Sequence, residues 1–241
     1  MICEKNVFSL YINKITNNMK KIFFFTLLAI SAINLSAQEG LFLGARGGYG
    51  SSWLLNPNVM DQGDSQDFAI TGSHNINVFL GYDITESFGL ETGLILNTHK
   101  QKYIGDVTVD TYESLITMKT VDIPLLFKVG KAVYFEAGPI VSFISDVEYN
   151  IDYETFDIVD DTKTVTEDFK GTNICFSLGV GGDIPINENI FINIGGRIIG
   201  GLTDIEGVNA FGASKDLLGN PEDFKTNTAY AGIHIGIKFK L

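Results

Sequence analysis

The sequence predicts an all-β fold: an eight-stranded antiparallel up-and-down transmembrane β-barrel, preceded by a cleaved signal peptide. Three observations carry this. The last eleven residues alternate, with Ala231, Ile233, Ile235, Ile237, Phe239 and Leu241 separated by Gly232, His234, Gly236, Lys238 and Lys240. That period of two sends every apolar side chain to one face of a strand. Seven further segments alternate in the same way. The links between them alternate between tight turns and long polar stretches, the layout of an outer-membrane barrel.

In chain order, strand one covers about 41–50, with Leu41, Leu43, Ala45 and Tyr49 facing one way and Gly44, Arg46 and Gly48 the other. Strand two (74–84) sets Ile76, Val78, Leu80, Tyr82 and Ile84 against Asn75, Asn77 and Gly81. Strand three (88–101) sets Phe88, Leu90, Leu94 and Leu96 against Gly89, Glu91, Gly93 and Asn97. Strand four (117–129) sets Val121, Ile123, Leu125, Phe127 and Val129 against Thr120, Asp122 and Lys128. Strand five (132–146) sets Val133, Phe135, Ala137, Val141 and Phe143 against Tyr134, Glu136, Gly138 and Ser142. Strand six (172–184) alternates Ile174, Phe176, Leu178 and Val180 with Asn173, Ser177, Gly179 and Gly181. Strand seven (189–200) alternates Ile190, Ile192, Ile194 and Ile198 with Asn193, Gly195 and Arg197, and the terminal run is strand eight.

The tight turns are Thr85–Ser87, Gly130–Lys131 and Pro185–Glu188, and the long links are 51–73, 102–116, 147–171 and 201–226. Pro124 and Pro139 fall inside strands four and five. A closed barrel has no edge to absorb a missing N–H, so each proline needs a bulge, a strand end or a locally open ladder. Gly138-Pro139 suggests a bulge that shifts register there.

The N-terminus carries a processing signal. Met19-Lys20-Lys21 precedes a twelve-residue apolar run, Ile22–Ile33, and then Asn34-Leu-Ser-Ala37. This is the pattern of a secretory signal peptide, too short in its apolar run for a transmembrane helix. Residues 1–37 are the expected signal, with Met19 a better start than Met1, and 38–241 the expected mature barrel. Removing 1–37 takes four lysines and one glutamate from 17 basic and 29 acidic residues, leaving 13 and 28. An acidic chain of this kind argues against nucleic acid, which demands clustered Lys and Arg. Cys3 leaves with the signal and Cys175 is then alone, so neither a disulfide nor a cysteine-pair metal site is expected.

The two strand faces decide which side meets lipid. One is nearly pure Ile, Leu, Val and Phe; the other holds Gly, Asn, Ser and charge. An eight-stranded barrel has an interior only just wide enough for its own side chains, which suits the small face. The inward charges Arg46, Lys128, Arg197, Lys238 and Lys240 can meet Asp83, Glu91, Asp122, Glu136 and Asp183. Turned outward, each basic residue near mid-membrane would cost about 2–4 kcal/mol. The candidate interior charge cluster is therefore Arg46, Glu91, Asp122, Lys128, Glu136 and Arg197. The bland alternative is a soluble barrel or sandwich with a solvated charged face. Tyr49, Tyr82, Phe88, Tyr103, Phe143 and Phe239 are candidate interfacial girdle residues.

Val121-Asp-Ile-Pro-Leu-Leu-Phe-Lys128, Tyr134-Phe-Glu-Ala-Gly-Pro-Ile140, Phe176-Ser-Leu-Gly-Val-Gly-Gly182 and Gly195-Gly-Arg197 together resemble the PorT-type outer-membrane β-barrel family, over about 40–241. The resemblance implies fold and location; some relatives are linked to secretion machinery, and it carries over no catalytic residues.

Possible chemistry is sparse. His74, His99 and His234 are the only histidines, on three different strands. A lipid-modifying barrel enzyme would need one of them beside a serine such as Ser142 or Ser177 and a carboxylate; solvated or interior polar roles are the simpler reading. Gly44–Gly50 resembles a nucleotide-binding glycine run but precedes no helix. Asp61, Asp64 and Asp67, and Asp157, Asp160 and Asp161, lack the full spacing of a Ca²⁺ loop. No cofactor, metal or catalytic residue is expected. Trp53 with Leu54-Leu55 is either a contact patch or an interface anchor. The expected function is that of a non-enzymatic outer-membrane scaffold, with the lipid bilayer as partner and a protein partner met through the long loops or the periplasmic turns. A membrane component of a secretion apparatus is the alternative, ahead of a soluble periplasmic ligand-binding barrel.

Overall fold

All eight predicted strands form, and they close on themselves. The computed structural model describes residues 40–56, 66–107, 110–154, 162–207 and 225–241. The expected signal peptide and Asp61, Asp64, Asp157, Asp160 and Asp161 lie outside the described residues. The strands are β1 (Leu41–Leu55), β2 (Asp67–Ala69), β3 (Gly72–Thr85), β4 (Phe88–Val107), β5 (Asp110–Gly130), β6 (Val133–Tyr153), β7 (Lys163–Thr164), β8 (Thr172–Pro185), β9 (Ile190–Gly201) and β10 (Asn227–Lys240). A 3₁₀ turn, Thr166–Asp168, follows β7.

Eight of these make the ring β1-β3-β4-β5-β6-β8-β9-β10, each antiparallel to the next, and β10 pairs with β1 to close it. The seam runs from Phe42↔Lys240 to Leu55↔Asn227. The other two are short additions: β2 pairs with the far end of β4, and β7 with β6.

The faces fall as their alternation requires. Ile233, Ile235 and Ile237 are 71%, 59% and 46% exposed on the outside, whereas Arg46, Glu91, Glu136 and Arg197 are buried within. This is the reverse of a soluble barrel, whose apolar set would point inward. Tyr49, Tyr82, Phe88, Phe143 and Phe239 are exposed on the outer face. Tyr103 is not a girdle residue; it points inward, is 1% exposed and stacks on Phe68 with ring centroids 5.5 Å apart.

Three further expectations need correction. The link 102–116 is no loop, because β4 and β5 continue through it in one register, from Thr98↔Lys119 to Val107↔Asp110. There Lys102, Asp106 and Glu113 enter the outward face while Tyr103 and Ile116 are buried on the inward one, so the stretch has the composition of a loop and the pairing of a strand. Second, β6 runs on to Tyr153, beyond the predicted end at 146.

Third, the register shift lies not at Pro139 but between Lys119 and Thr120, where Ser145 is the extra residue on β6. Its hydroxyl donates to the Lys119 carbonyl at 3.0 Å. Around the prolines the register is unbroken and the ladder locally open. Pairing stops between Thr92↔Leu125 and Ile95↔Asp122, and again between Pro124↔Ile140 and Phe127↔Ala137. The Thr92 hydroxyl donates to the Pro124 carbonyl at 2.7 Å, which satisfies one of the freed groups.

Candidate functional site: the sealed barrel interior

The interior is packed by pairing large side chains on one strand with glycine on the next. Phe42 lies opposite Gly81, Phe79 opposite Gly44, Tyr134 opposite Gly181, Glu136 opposite Gly179, and His234 opposite Gly195. A Cβ on Gly44 or Gly81 would strike the Phe79 or Phe42 ring, and one on Gly195 would lie 2.7 Å from His234 Nε2. The glycines are thus the space into which their neighbours fold.

Of the six charged residues expected inside, three meet in one cluster. Glu91 takes Arg46 on Oε1 and the Lys128 ammonium on Oε2, the latter at 2.6 Å. Glu136 and Arg197 form a separate pair, with Nε and Nη2 of the arginine 2.7 and 2.6 Å from Oε1. Asp122 stands apart: Asn97 Nδ2 donates to its Oδ2 at 2.6 Å, and no Lys or Arg forms an ion pair with it among the described residues. Ion pairs this deep repay their desolvation only with good geometry and further hydrogen bonds. Here those bonds come from Asn193, which accepts from Arg46 Nη1 at 3.3 Å and donates to the Tyr134 hydroxyl and to Asp183 Oδ1, each at 2.7 Å. Lys238 completes the set, 2.8 Å from Asp183 Oδ2.

Inward aromatics add a further layer, with Tyr134 on the face the alternation assigns it and Phe42 and Phe79 outside the expected set. Arg46 lies over Phe79 at 4.6 Å from the ring centroid, Lys128 over Tyr134 at 4.2 Å and Lys238 over Phe42 at 4.0 Å. Such contacts strengthen where water is excluded. Phe42 and Phe79 sit at inward positions of the alternation, each beside a glycine across the ladder, and that pairing is the signal that could have found them.

Toward the long loops the interior changes character. Leu54, Tyr103, Ile116, Met118, Ile144, Val147, Phe169 and Ile205 form a buried apolar cluster across the outer end. Leu54, a candidate surface anchor in the sequence, belongs to this plug. Ile205 is fully buried, held where Lys170 N donates to its carbonyl at 2.9 Å and its own N–H donates to Thr226 O at 3.0 Å. Glu206 (φ 59°) and Gly207 (φ 86°) make the sharp reversal that drives Ile205 inward. The interior cavities between plug and charge cluster measure about 10–20 Å³. That is room for a water molecule and no more.

His99, Asp122 and Ser142 line one of these cavities. Nucleophilic catalysis needs a serine–base hydrogen bond; among the described residues none joins Ser142 or Ser177 to a histidine, and Ser177 Oγ and His234 Nε2 make no hydrogen bond at all. His74 is exposed on the outer surface. Among the described residues no group of three His, Cys, Asp or Glu side chains is placed to hold a metal ion.

A closed ring of eight antiparallel strands, apolar outside and charge-paired inside, defines a transmembrane β-barrel. The chain belongs to the outer membrane protein beta-barrel domain family, whose family model matches residues 25–239. It is accordingly an outer-membrane protein whose apolar belt meets the lipid bilayer. Among solved structures it is similar to Neisserial surface protein A, with 10% identity over 84% of this chain and 97% of that one and a TM-score of 0.39. It is also similar to OprG from Pseudomonas aeruginosa (12% identity, 85% and 97%, TM-score 0.38) and to the attachment invasion locus protein Ail of Yersinia pestis (11%, 84% and 100%, TM-score 0.38). No curated protein matches the sequence.

Proposed function

We propose that this protein is a non-enzymatic scaffold of the outer membrane that meets a protein partner with the part of β4, β5 and β6 standing above the lipid belt. The observation that carries this is the division of labour along those strands. Their outward positions change from Leu94, Leu96, Ile123 and Phe143 to Lys102, Glu113, Lys119, Asp146 and Glu148. Lys119 is 2.8 Å from Asp146 and 3.2 Å from Glu148, so the upper sheet presents fixed, charged surface to water. The plug beneath it leaves no room for a transported solute among the described residues, which favours contact over conduction. Residues 1–37 are proposed to leave as the signal and 38–241 to form the mature barrel; N-terminal sequencing of the membrane form reads the cleavage site directly.

Membership of the PorT-type group, with a place in a secretion apparatus, is the second reading. It is favoured by where the resembling segments fall: Val121–Lys128 and Tyr134–Ile140 flank the tight turn at Gly130 and pair with each other, as in Lys128↔Glu136. A photo-crosslinking residue at Glu113, on the upper sheet, or at Glu86, in a tight turn, separates the two. Adducts from position 113 after extraction in mild detergent support the scaffold reading. Adducts from position 86 alone support a periplasmic assembly, and adducts from neither overturn both.

A further inference from the structure

The turn end of the barrel opens into a cup of about 630 Å³, within the size range of small-molecule sites. Its lining includes four lysines, Lys128, Lys131, Lys238 and Lys240, against the three carboxylates Asp83, Glu86 and Asp183. That balance is unusual in a chain with a formal net charge of −12. Lys131 is neutralised at the rim by Glu86 at 2.6 Å, and Lys238 lies between Asp183 at 2.8 Å and Asp83 at 3.8 Å. Lys128 is only half matched, because its carboxylate, Glu91, is shared with Arg46. The Lys240 side chain has no ion pair among the described residues. The lining thus carries one positive charge in excess, with Lys240 its exposed ammonium, in a concavity whose low-dielectric walls focus the field.

We propose that this cup is a binding site for a phosphate group. Lysine ammoniums recognise phosphate as point charges, whereas the fork that grips a planar carboxylate belongs to arginine, and no arginine lines the cup. A phosphate held by Lys240 at the mouth of the cup meets the one positive charge that the lining carries in excess, and the buried Lys128 ammonium adds its field from within. The phosphate has two possible sources. It belongs either to a soluble compound entering from the periplasm or to the headgroup of an anionic phospholipid leaning over the rim.

The test uses the mature chain folded in zwitterionic micelles and in phosphatidylcholine nanodiscs. Amide shifts of Gly40, Gly130 and Lys240 are followed by NMR during titration with inorganic phosphate at constant ionic strength. The expected result is a saturable shift, weakened about tenfold by Lys240→Gln and unchanged by Lys131→Gln, whose ammonium is already paired. A non-saturating shift, or one that chloride reproduces, overturns the site. So does equal binding by Lys240→Gln and the unaltered chain. Including phosphatidylglycerol in the nanodiscs then identifies the source. Loss of the phosphate response assigns the cup to the lipid headgroup; its persistence assigns it to a soluble phosphate compound. Lys240 is exposed at the strand end, so Lys240→Gln leaves the buried packing intact.

Discussion

Glu91 shows how tightly a narrow interior couples its residues. One carboxylate, 1% exposed, balances both Arg46 and Lys128. Removing its charge leaves two buried cations facing each other. Glu91→Gln is therefore expected to destabilise the barrel by about 3–5 kcal/mol, the usual result of breaking a buried pair from one side. Urea unfolding of protein refolded in detergent reads this, and adding Lys128→Met should recover part of the loss. Equal stability of Glu91→Gln and the unaltered chain would show that the cluster is hydrated after all. Sequence parity alone placed the charged residues on one face, because a strand has only two. It could not say which cation goes to which carboxylate, or that Asp122 stays apart with Asn97, since those depend on how far neighbouring strands are sheared. The inward Phe42 and Phe79 escaped for a related reason: a face rich in glycine and charge does not announce its aromatics until the opposing residue is known.

A single extra residue switches the parity of β6. Before Ser145 its inward positions are even-numbered, as at Ser142 and Ile144; after it they are odd, as at Val147 and Tyr149. Deleting Ser145 closes the bulge into a regular alternation in which Ile144 and Val147 still point inward and Asp146 and Glu148 outward, with the pairs Thr120↔Ile144 and Lys119↔Asp146 kept. The expected outcome is a barrel that inserts and keeps its amide-exchange protection across 147–153; loss of that protection would show that the upper ladder depends on the bulge. The plug has its own pH dependence through Asp204. Partial burial works against the charge on this carboxyl. The backbone N–H groups of Thr226 and Glu206 and the Lys170 ammonium outweigh it and hold the group below its ordinary value of 3.8. A lowered folded value stabilises the turn above the unfolded one, and the contribution fades as pH falls through the folded value. Protection of the Thr226 amide, corrected for intrinsic exchange, should thus decline below about pH 4, and Asp204→Asn should abolish that dependence. The effect is small, because the ion pairs with Lys170 are exposed. The strand stretches 102–107, 110–116 and 147–153 were not legible in the sequence for another reason. There the strands keep their ladders but exchange the chemistry of their faces, and a charged outward face reads as loop.

For the whole molecule, eight strands, their order and the outward apolar belt were readable because lipid imposes a simpler pattern than water. Ile235 lies in the middle of β10, 59% exposed on that belt. Ile235→Arg should cost about 2–4 kcal/mol, whereas Ile104→Arg at the upper end of β4 should cost about 0–1 kcal/mol. Heat-modifiable gel mobility after insertion into lipid vesicles ranks the two, and equal losses would contradict the belt. One consequence remains in the seam. Leu241 N donates to Leu41 O at 2.9 Å, so the two extremes of the domain zip together. Every other junction in the ring joins strands that follow one another in the chain, leaving aside the short β2 and β7, whereas this one joins the first to the last. Until it forms, the growing structure carries two naked edges that would accept any stray ribbon, and its completion is a long-range and therefore slow event. The final fourteen residues of β10 are thus the latch of the assembly, and a chain cut before them would expose both edges to whatever strand arrives first.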